Sequence, residues 1–191
     1  MDIKNGVNAP GMADIYLFLA QSMRYPEKEW MSDEFLRLFL QIAEKIPELS
    51  DSKSFRSFLS RNNLGLECLQ EEYTRLFINV YPHVLAPPYG SAYSSNNLRN
   101  DGGSSTTGVD ETVLFYHEKG FELVDCKEPP DWLIHELAFM ALMAKDDPEG
   151  LEKFLVDHFR PWFTIFKKKV VQETINPYFV IAIQMIDFFT V

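Results

Sequence analysis

The sequence predicts an all-α fold, a single-domain helical bundle with an aromatic core, and three observations carry that expectation. Phenylalanine is unusually abundant at 16 residues, beside 8 tyrosines and 3 tryptophans, whereas glycine is scarce at 9. Apolar residues recur three and four apart in one segment after another, and no stretch alternates as a half-buried strand would. Prolines and short polar residues punctuate the segments where helices start and stop. At 191 residues, the chain is long enough to bury such a core as one domain, residues 1–191, without a disulfide or metal.

The elements follow in order. Asp14 to Arg24 carries Ile15, Leu17, Phe18, Leu19 and Met23, and Tyr25-Pro26 stops it. Ser32-Asp33-Glu34 opens a second helix, with Phe35, Leu36, Leu38, Phe39, Ile42 and Ile46 at helical spacing until Pro47. A short third helix is expected from Ser52 to Ser60, with Phe55, Phe58 and Leu59 inward, broken at Arg61-Asn62-Asn63. A fourth, about Leu66 to Val80, places Leu69, Tyr73, Leu76, Phe77 and Val80 on one face and leaves Glu71-Glu72 as a solvated face.

From about 81 to 108 the chain is Pro/Gly-rich loop throughout, including Pro87-Pro88, Tyr89-Gly90-Ser91 and Gly102-Gly103. A connection of that length is usually functional or mobile. Its Pro-rich first half is expected to pack on the core, its Gly/Ser-rich second half to be loosely held. Asp110-Glu111-Thr112 then starts a helix closed by Lys119-Gly120.

The stretch around which the rest is organised begins at Glu128-Pro129-Pro130-Asp131 and runs to Lys145. Two prolines and a carboxylate predict a helix start with Asp131 as cap, and Leu133, Leu137, Met140 and Ala144 form one apolar stripe, Trp132, Phe139 and Leu142 another. Only Asp131, His135 and Glu136 interrupt them, all near the start. Asp146-Asp147-Pro148 separates this helix from the next, in which a kink is expected at Arg160-Pro161. The last helix, Asn176-Pro177 to Phe189, is apolar nearly all round and belongs inside the bundle.

The formal net charge of −10 disfavours nucleic acid and anionic lipid and favours cationic partners such as basic peptides. The two cysteines, Cys68 and Cys126, have no partner spacing, which suits free thiols in a reducing, cytoplasmic setting. Neither a leader-like start nor a membrane-length apolar run is present, so no stable membrane insertion is expected.

Catalytic and metal patterns are weak. His135-Glu136 fails the His-Glu-x-x-His zinc pattern because Phe139 holds the second ligand position, and His83, His117 and His158 lie in separate elements. No metal or cofactor is expected. Ser91 and Ser94 have no identifiable base. Asp131 and His135, one turn apart, would be the acid and base of a small hydrolase, but a cap beside a helix-mouth histidine is the simpler assignment. The expectation is a binding protein, not an enzyme. A permanent structural subunit of an oxidoreductase complex is a third alternative.

Four stretches resemble one family. Glu128-Pro-Pro-Asp131 with His135-Glu136-Leu137-Ala-Phe139-Met140 resembles the Glu-Pro-x-Asp-His and Glu-Leu-x-Phe-Met signature of the TorD/DmsD/NarJ redox-enzyme maturation chaperones. Tyr73-Thr-Arg-Leu76-Phe77 resembles their Tyr-x-x-Leu-Phe helix, Pro87-Pro88-Tyr89-Gly-Ser91-Ala-Tyr93 their Pro-Pro-Tyr-Glu-Ser-x-Tyr loop, and Phe154-Leu155 with His158, Pro161 and Trp162 their Phe-Leu-x-x-His-x-x-x-Trp segment. Two positions depart: Trp132 stands where the family usually has histidine, and Gly90 where it often has glutamate.

The resemblance implies an all-helical cytoplasmic chaperone. Such a protein binds the twin-arginine leader, or another part, of a molybdenum-cofactor oxidoreductase in its apo form. It holds that client back from export or membrane attachment until the cofactor is inserted. It implies a peptide-binding region at Tyr73, Leu76, Phe77, Pro87, Pro88, Tyr89 and Asp131, to which Trp132 and His135 are added by position. Acidic charge and an aromatic helix face agree with an Arg-Arg leader as ligand. The chain is expected as a monomer or as a dimer formed by exchange of helices across the 81–108 loop.

Overall fold

A computed structural model describes residues 11–50, 65–78, 84–93, 107–124, 127–174 and 176–191. The helix expected at Ser52–Ser60 and its break lie outside these residues, as do Val80, His83, Cys126 and the Gly/Ser-rich part of the long loop. Helices dominate, and among the described residues the one pairing of extended chain is a single antiparallel bridge between Tyr89 and Trp132.

Helix α1, Met12–Ser22, begins slightly before the expected Asp14, because that side chain sits in the first turn and accepts the Gly11 N–H at 3.2 Å. Its buried face is Ala13, Tyr16, Leu19 and Ala20, while Leu17 is exposed. Helix α2, Asp33–Glu44, is capped by Ser32, whose hydroxyl accepts the Phe35 N–H at 3.2 Å. Pro47 opens a four-residue helix, α3 (Pro47–Ser50), instead of only ending its predecessor. Proline's fixed φ suits a first turn as well as it blocks a middle one.

Helix α4, Leu66–Tyr73, passes into a π-helical turn at Thr74–Ile78. Such a turn carries one residue more than an α turn and is frequent at functional sites. Glu72 is not merely solvated: it accepts two bonds from the Arg75 guanidinium, at 2.7 and 2.8 Å, and one from the Thr174 hydroxyl. The first half of the long loop packs on the core as expected, with Ala86, Gly90 and Tyr93 buried and a 3-10 turn at Gly90–Tyr93.

Helix α5, Thr107–Glu118, starts earlier than Asp110 and takes the end of the expected loop into the helix. It closes at Gly120, whose φ of 67° is the left-handed stop that glycine favours. Helix α6, Leu133–Asp146, buries Leu133, Leu137, Phe139 and Met140 and packs along α1; Leu142, expected inward, is exposed. Helix α7, Pro148–Phe154, has Asp147 as cap, accepting the Gly150 N–H at 2.9 Å. The irregularity expected at Arg160-Pro161 takes the form of a π-helical turn, Leu155–Phe159, leading into α8, Arg160–Glu173. Helix α9, Pro177–Phe189, is capped by Asn176 and buried nearly all round.

Two aromatic groups fill the interior. Tyr73, Phe77, Phe166 and Phe179 meet where α4, α8 and α9 converge, with Phe77 5.6 Å from Phe179 and 6.1 Å from Phe166. Tyr116, Phe121, Phe139 and Phe154 form the other, between α5, α6 and α7. Each ring buried this way stabilises the fold by about 1.5–3 kcal/mol before the entropy of ordering is set against it. Tyrosines also satisfy buried carbonyls at the end of α1: Tyr73 donates to Met23 O at 3.2 Å and Tyr178 to Ser22 O at 2.8 Å.

Candidate functional site

The start of α6 is not built as its sequence predicts. Trp132 occupies the cap position without a side-chain bond, and Asp131, expected to cap, turns away into the protein with no exposed surface. Its Oδ2 accepts the Ser91 N–H at 2.6 Å, across to the loop of the Pro-Pro-Tyr motif. Two main-chain bonds run beside it: Gly90 N–H donates to Asp131 O at 3.0 Å and Leu133 N–H to Pro88 O at 2.9 Å. The expected cap fails because a carboxylate finds a stronger use in pinning a loop amide than in one of several free helix-end amides.

This zipper between residues 88–91 and 131–133 places Pro88, Tyr89 and Trp132 on one wall of a cleft of about 270 Å³. Tyr73, Phe77 and Ile78, from α4 and its π turn, form the facing part, and Arg24, Tyr25, Glu27 and Glu128 complete the lining. Five of the nine residues predicted for peptide binding therefore come together: Tyr73, Phe77, Pro88, Tyr89 and Trp132. The other four stand behind or beside the cleft. Leu76 is fully buried, and its carbonyl accepts the Ala86 N–H at 2.9 Å, tying the loop to the π turn. Pro87 is half-buried next to the wall. Asp131 is the pin just described. His135 is half-buried, its ring edge-on to Trp132 at 4.9 Å, and its Nδ1–H donates to Pro129 O at 3.0 Å.

Asp131 and His135 are thus each bonded elsewhere and not to one another, so they do not form the acid-base pair of the hydrolase alternative. Burial holds the His135 imidazole below its usual range, against the pull of the Pro129 carbonyl and of Glu128 and Asp131.

The cleft's electrostatics centre on Glu128. Its Oε2 accepts the Tyr89 hydroxyl at 2.7 Å, and burial together with this bond pushes the Tyr89 phenol far up, so that it remains a donor. Two carboxylates, Glu128 and the exposed Glu27, line the aromatic-walled cleft against one cation, the exposed Arg24, and leave it with an acidic excess of one. Glu128, Tyr25 and Ile78 were absent from the predicted site. Glu128 stood first in the Glu-Pro-Pro-Asp motif, which was the available signal; Tyr25 and Ile78 carried none beyond their neighbours.

Beneath the wall lies a second arrangement that the spacing of the histidines concealed. Glu136, without exposed surface, accepts from Trp162 Nε1 at 3.1 Å and pairs with His158 Nε2 at 3.0 Å, and His158 Nε2 also lies 2.8 Å from the Thr112 hydroxyl. Residues from α5, α6, the second π turn and α8 meet there. Among the described residues no group of histidine, cysteine and acidic side chains is placed to hold a metal ion. A larger cavity, about 830 Å³, is lined by Ile46, Leu49, Val171, Gln184 and Phe188 among others, but it includes none of the motif residues.

The comparisons point the same way as the motifs. Residues 43–168 match the family model described as nitrate reductase delta subunit. The fold is similar to that of an Archaeoglobus fulgidus protein whose crystal structure is described as a candidate redox enzyme maturation protein, with a TM-score of 0.60 and 24% identity over 98% of both chains. No curated protein matches the sequence. With its four motifs gathered around one cleft and the interior beneath it, and with a helical fold throughout the described residues, the chain belongs to the nitrate reductase delta subunit family.

Proposed function

We propose that the cleft binds the twin-arginine leader, or another segment, of a molybdenum-cofactor oxidoreductase and keeps that client in the cytoplasm until its cofactor is inserted. One observation carries the proposal: Tyr73, Phe77, Pro88, Tyr89 and Trp132, from two motif helices and a motif loop, share a cleft with Glu27 and Glu128. A leader presents arginines followed by apolar residues, and an aromatic cleft with carboxylates at its edge is complementary to both. At about 270 Å³ the cleft is smaller than the roughly 300–1,000 Å³ of sites for drug-sized molecules, so it takes one or two anchoring side chains while the peptide lies across the rim. The net charge of −10 adds long-range attraction for the basic segment.

The test is titration of synthetic leader peptides into the full chain by calorimetry. An Arg-Arg peptide is expected to bind, and its Gln-Gln counterpart to bind at least tenfold more weakly. Equal affinity for the two would remove guanidinium recognition from the proposal. The family's description as a subunit favours one other arrangement, permanent residence in the oxidoreductase. Gel filtration of native extract separates the two, since a chaperone is recovered mostly apart from the mature enzyme.

A further inference from the structure

We propose that Asp131 is a positioning residue, which sets the place of the Pro88-Tyr89 wall through the Ser91 amide and does not itself contact the bound peptide. The inference rests on the peptide-binding role proposed for the cleft, and it assigns Asp131 a part different from the ligand contact implied by its motif.

Asp131 has no exposed surface and is absent from the cleft lining, so a ligand in the cleft meets Pro88, Tyr89 and Trp132 first. Its Oδ2 holds Ser91 N–H at 2.6 Å, the shortest of the three bonds between residues 88–91 and 131–133. The other oxygen, Oδ1, is buried without a hydrogen-bond partner. A lone-pair site left unmet in the interior is a standing cost, and the fold retains it where the loop amide needs an acceptor.

The opposite side of the loop is fixed as well. A Cβ on Gly90 would lie 3.2 Å from Trp162 Cδ1 and Nε1, and Trp162 is itself held by Glu136 at 3.1 Å. Tyr93, at the end of the 3-10 turn, stacks on the same indole with ring centres 6.1 Å apart. The loop is therefore seated between the Asp131 carboxylate and the Trp162 ring, with no side chain of its own at position 90 to separate them. A side chain at position 90, such as the family's frequent glutamate, requires Trp162 to give way by a few tenths of an ångström.

The experiment compares Asp131→Asn, Asp131→Ala and Gly90→Ala with the parent. It measures hydrogen exchange of the 88–93 amides in the free protein and affinity for a synthetic Arg-Arg leader peptide at low and high salt. Asparagine keeps an acceptor oxygen, so Asp131→Asn is expected to hold amide protection and affinity within about threefold. Asp131→Ala is expected to expose the 88–93 amides and lower affinity at least tenfold, with the salt dependence of the residual binding unchanged. Gly90→Ala, which leaves Asp131 in place, is expected to shift the loop and reduce affinity in the same manner, as an independent check that the wall's position governs binding; if Asp131→Ala does not fold, Asp131→Asn carries the test, because direct contact would cost it at least tenfold in affinity.

Direct contact would give the opposite pattern: Asp131→Asn binding as poorly as Asp131→Ala, with a flattened salt dependence and normal loop protection. That result overturns the proposal. If the parent binds no leader peptide, the peptide-binding role fails instead. The exchange arm then decides the matter, because unchanged protection in Asp131→Ala would remove Asp131 as a pin.

Discussion

Glu136 and His158 face each other at 3.0 Å in the interior, one from the first turn of the central helix and the other from a π-helical turn 22 residues further along the chain. Burial alone would pull the imidazole down, but the bond and charge of Glu136 outweigh it and hold His158 above its usual 6.5. Burial likewise raises Glu136 above its usual 4.5, against the bonds from His158 and Trp162. Since Nε2 is within reach of both Glu136 and Thr112, the pair keeps a proton between carboxylate and imidazole while Trp162 steadies the second oxygen.

The pH dependence follows from those directions. Two groups whose folded-state values are raised contribute stability that is full below their unfolded values and is lost as pH rises through the folded ones. The His158 contribution is thus complete below about pH 6.5 and declines above it. The double variant His158→Leu/Glu136→Gln, which leaves no lone carboxylate in the interior, is expected to lose most stability relative to the parent at low pH. The gap between parent and variant narrows as pH rises, and chemical denaturation from pH 5 to 9 measures it. A gap independent of pH would mean that His158 acts by packing alone.

Trp132→Ala is the cleanest probe of the cleft's aromatic wall. The ring is only partly buried and its backbone is held by bonds that alanine retains. Peptide affinity is expected to fall by about 1–3 kcal/mol with little change in Tm. Phe77→Ala is a poorer choice, because the ring packs on Phe166 and Phe179 and its loss costs about 3–5 kcal/mol of stability. Calorimetry and thermal melts on the same preparations separate the two effects.

Glu128→Gln removes the carboxylate that takes the Tyr89 hydroxyl and lines the cleft. The amide still accepts the tyrosine bond, so the wall is expected to stay in place. An arginine would lose its charged partner, at a cost of about 1.5–3 kcal/mol, and binding would become less sensitive to salt. Full affinity with unaltered salt dependence in this variant would place the arginine elsewhere.

Gly120→Ala tests the end of α5 without touching the cleft. At φ 67° an L side chain is disfavoured, and the substitution is expected to destabilise by about 1 kcal/mol, read as a lower midpoint in urea at constant slope.

Helix periods and caps made most of the bundle legible. Ser32, Asp147 and Asn176 cap where their side chains predict, and α9 is as buried as its composition demands. The π turns were not legible, because Tyr73-Leu76-Phe77 and Leu155-His158-Phe159 fit an ordinary apolar stripe; the extra residue in the turn depends on what packs against it. Asp131 was misplaced for a related reason. A carboxylate after two prolines suits a helix start locally, and only the approach of Ser91, 40 residues earlier, redirects it. Glu136, His158 and Trp162 are far apart in sequence, and no spacing rule joins them before the helices are packed.

The wall of the cleft is framed by main chain. Tyr89 and Trp132 are opposed through a backbone bridge, and neighbouring bonds use amides and carbonyls that every residue but proline supplies in full. The frame and its surface facing are consequently separable: exchanging the side chains at 89 and 132 alters polarity and shape in the cleft while the two segments keep their register. Tryptophan in place of the family's usual histidine at 132 is one such exchange. If the cleft binds a peptide as proposed, substitution at these two positions changes what it accepts, with the helices behind them left as they are.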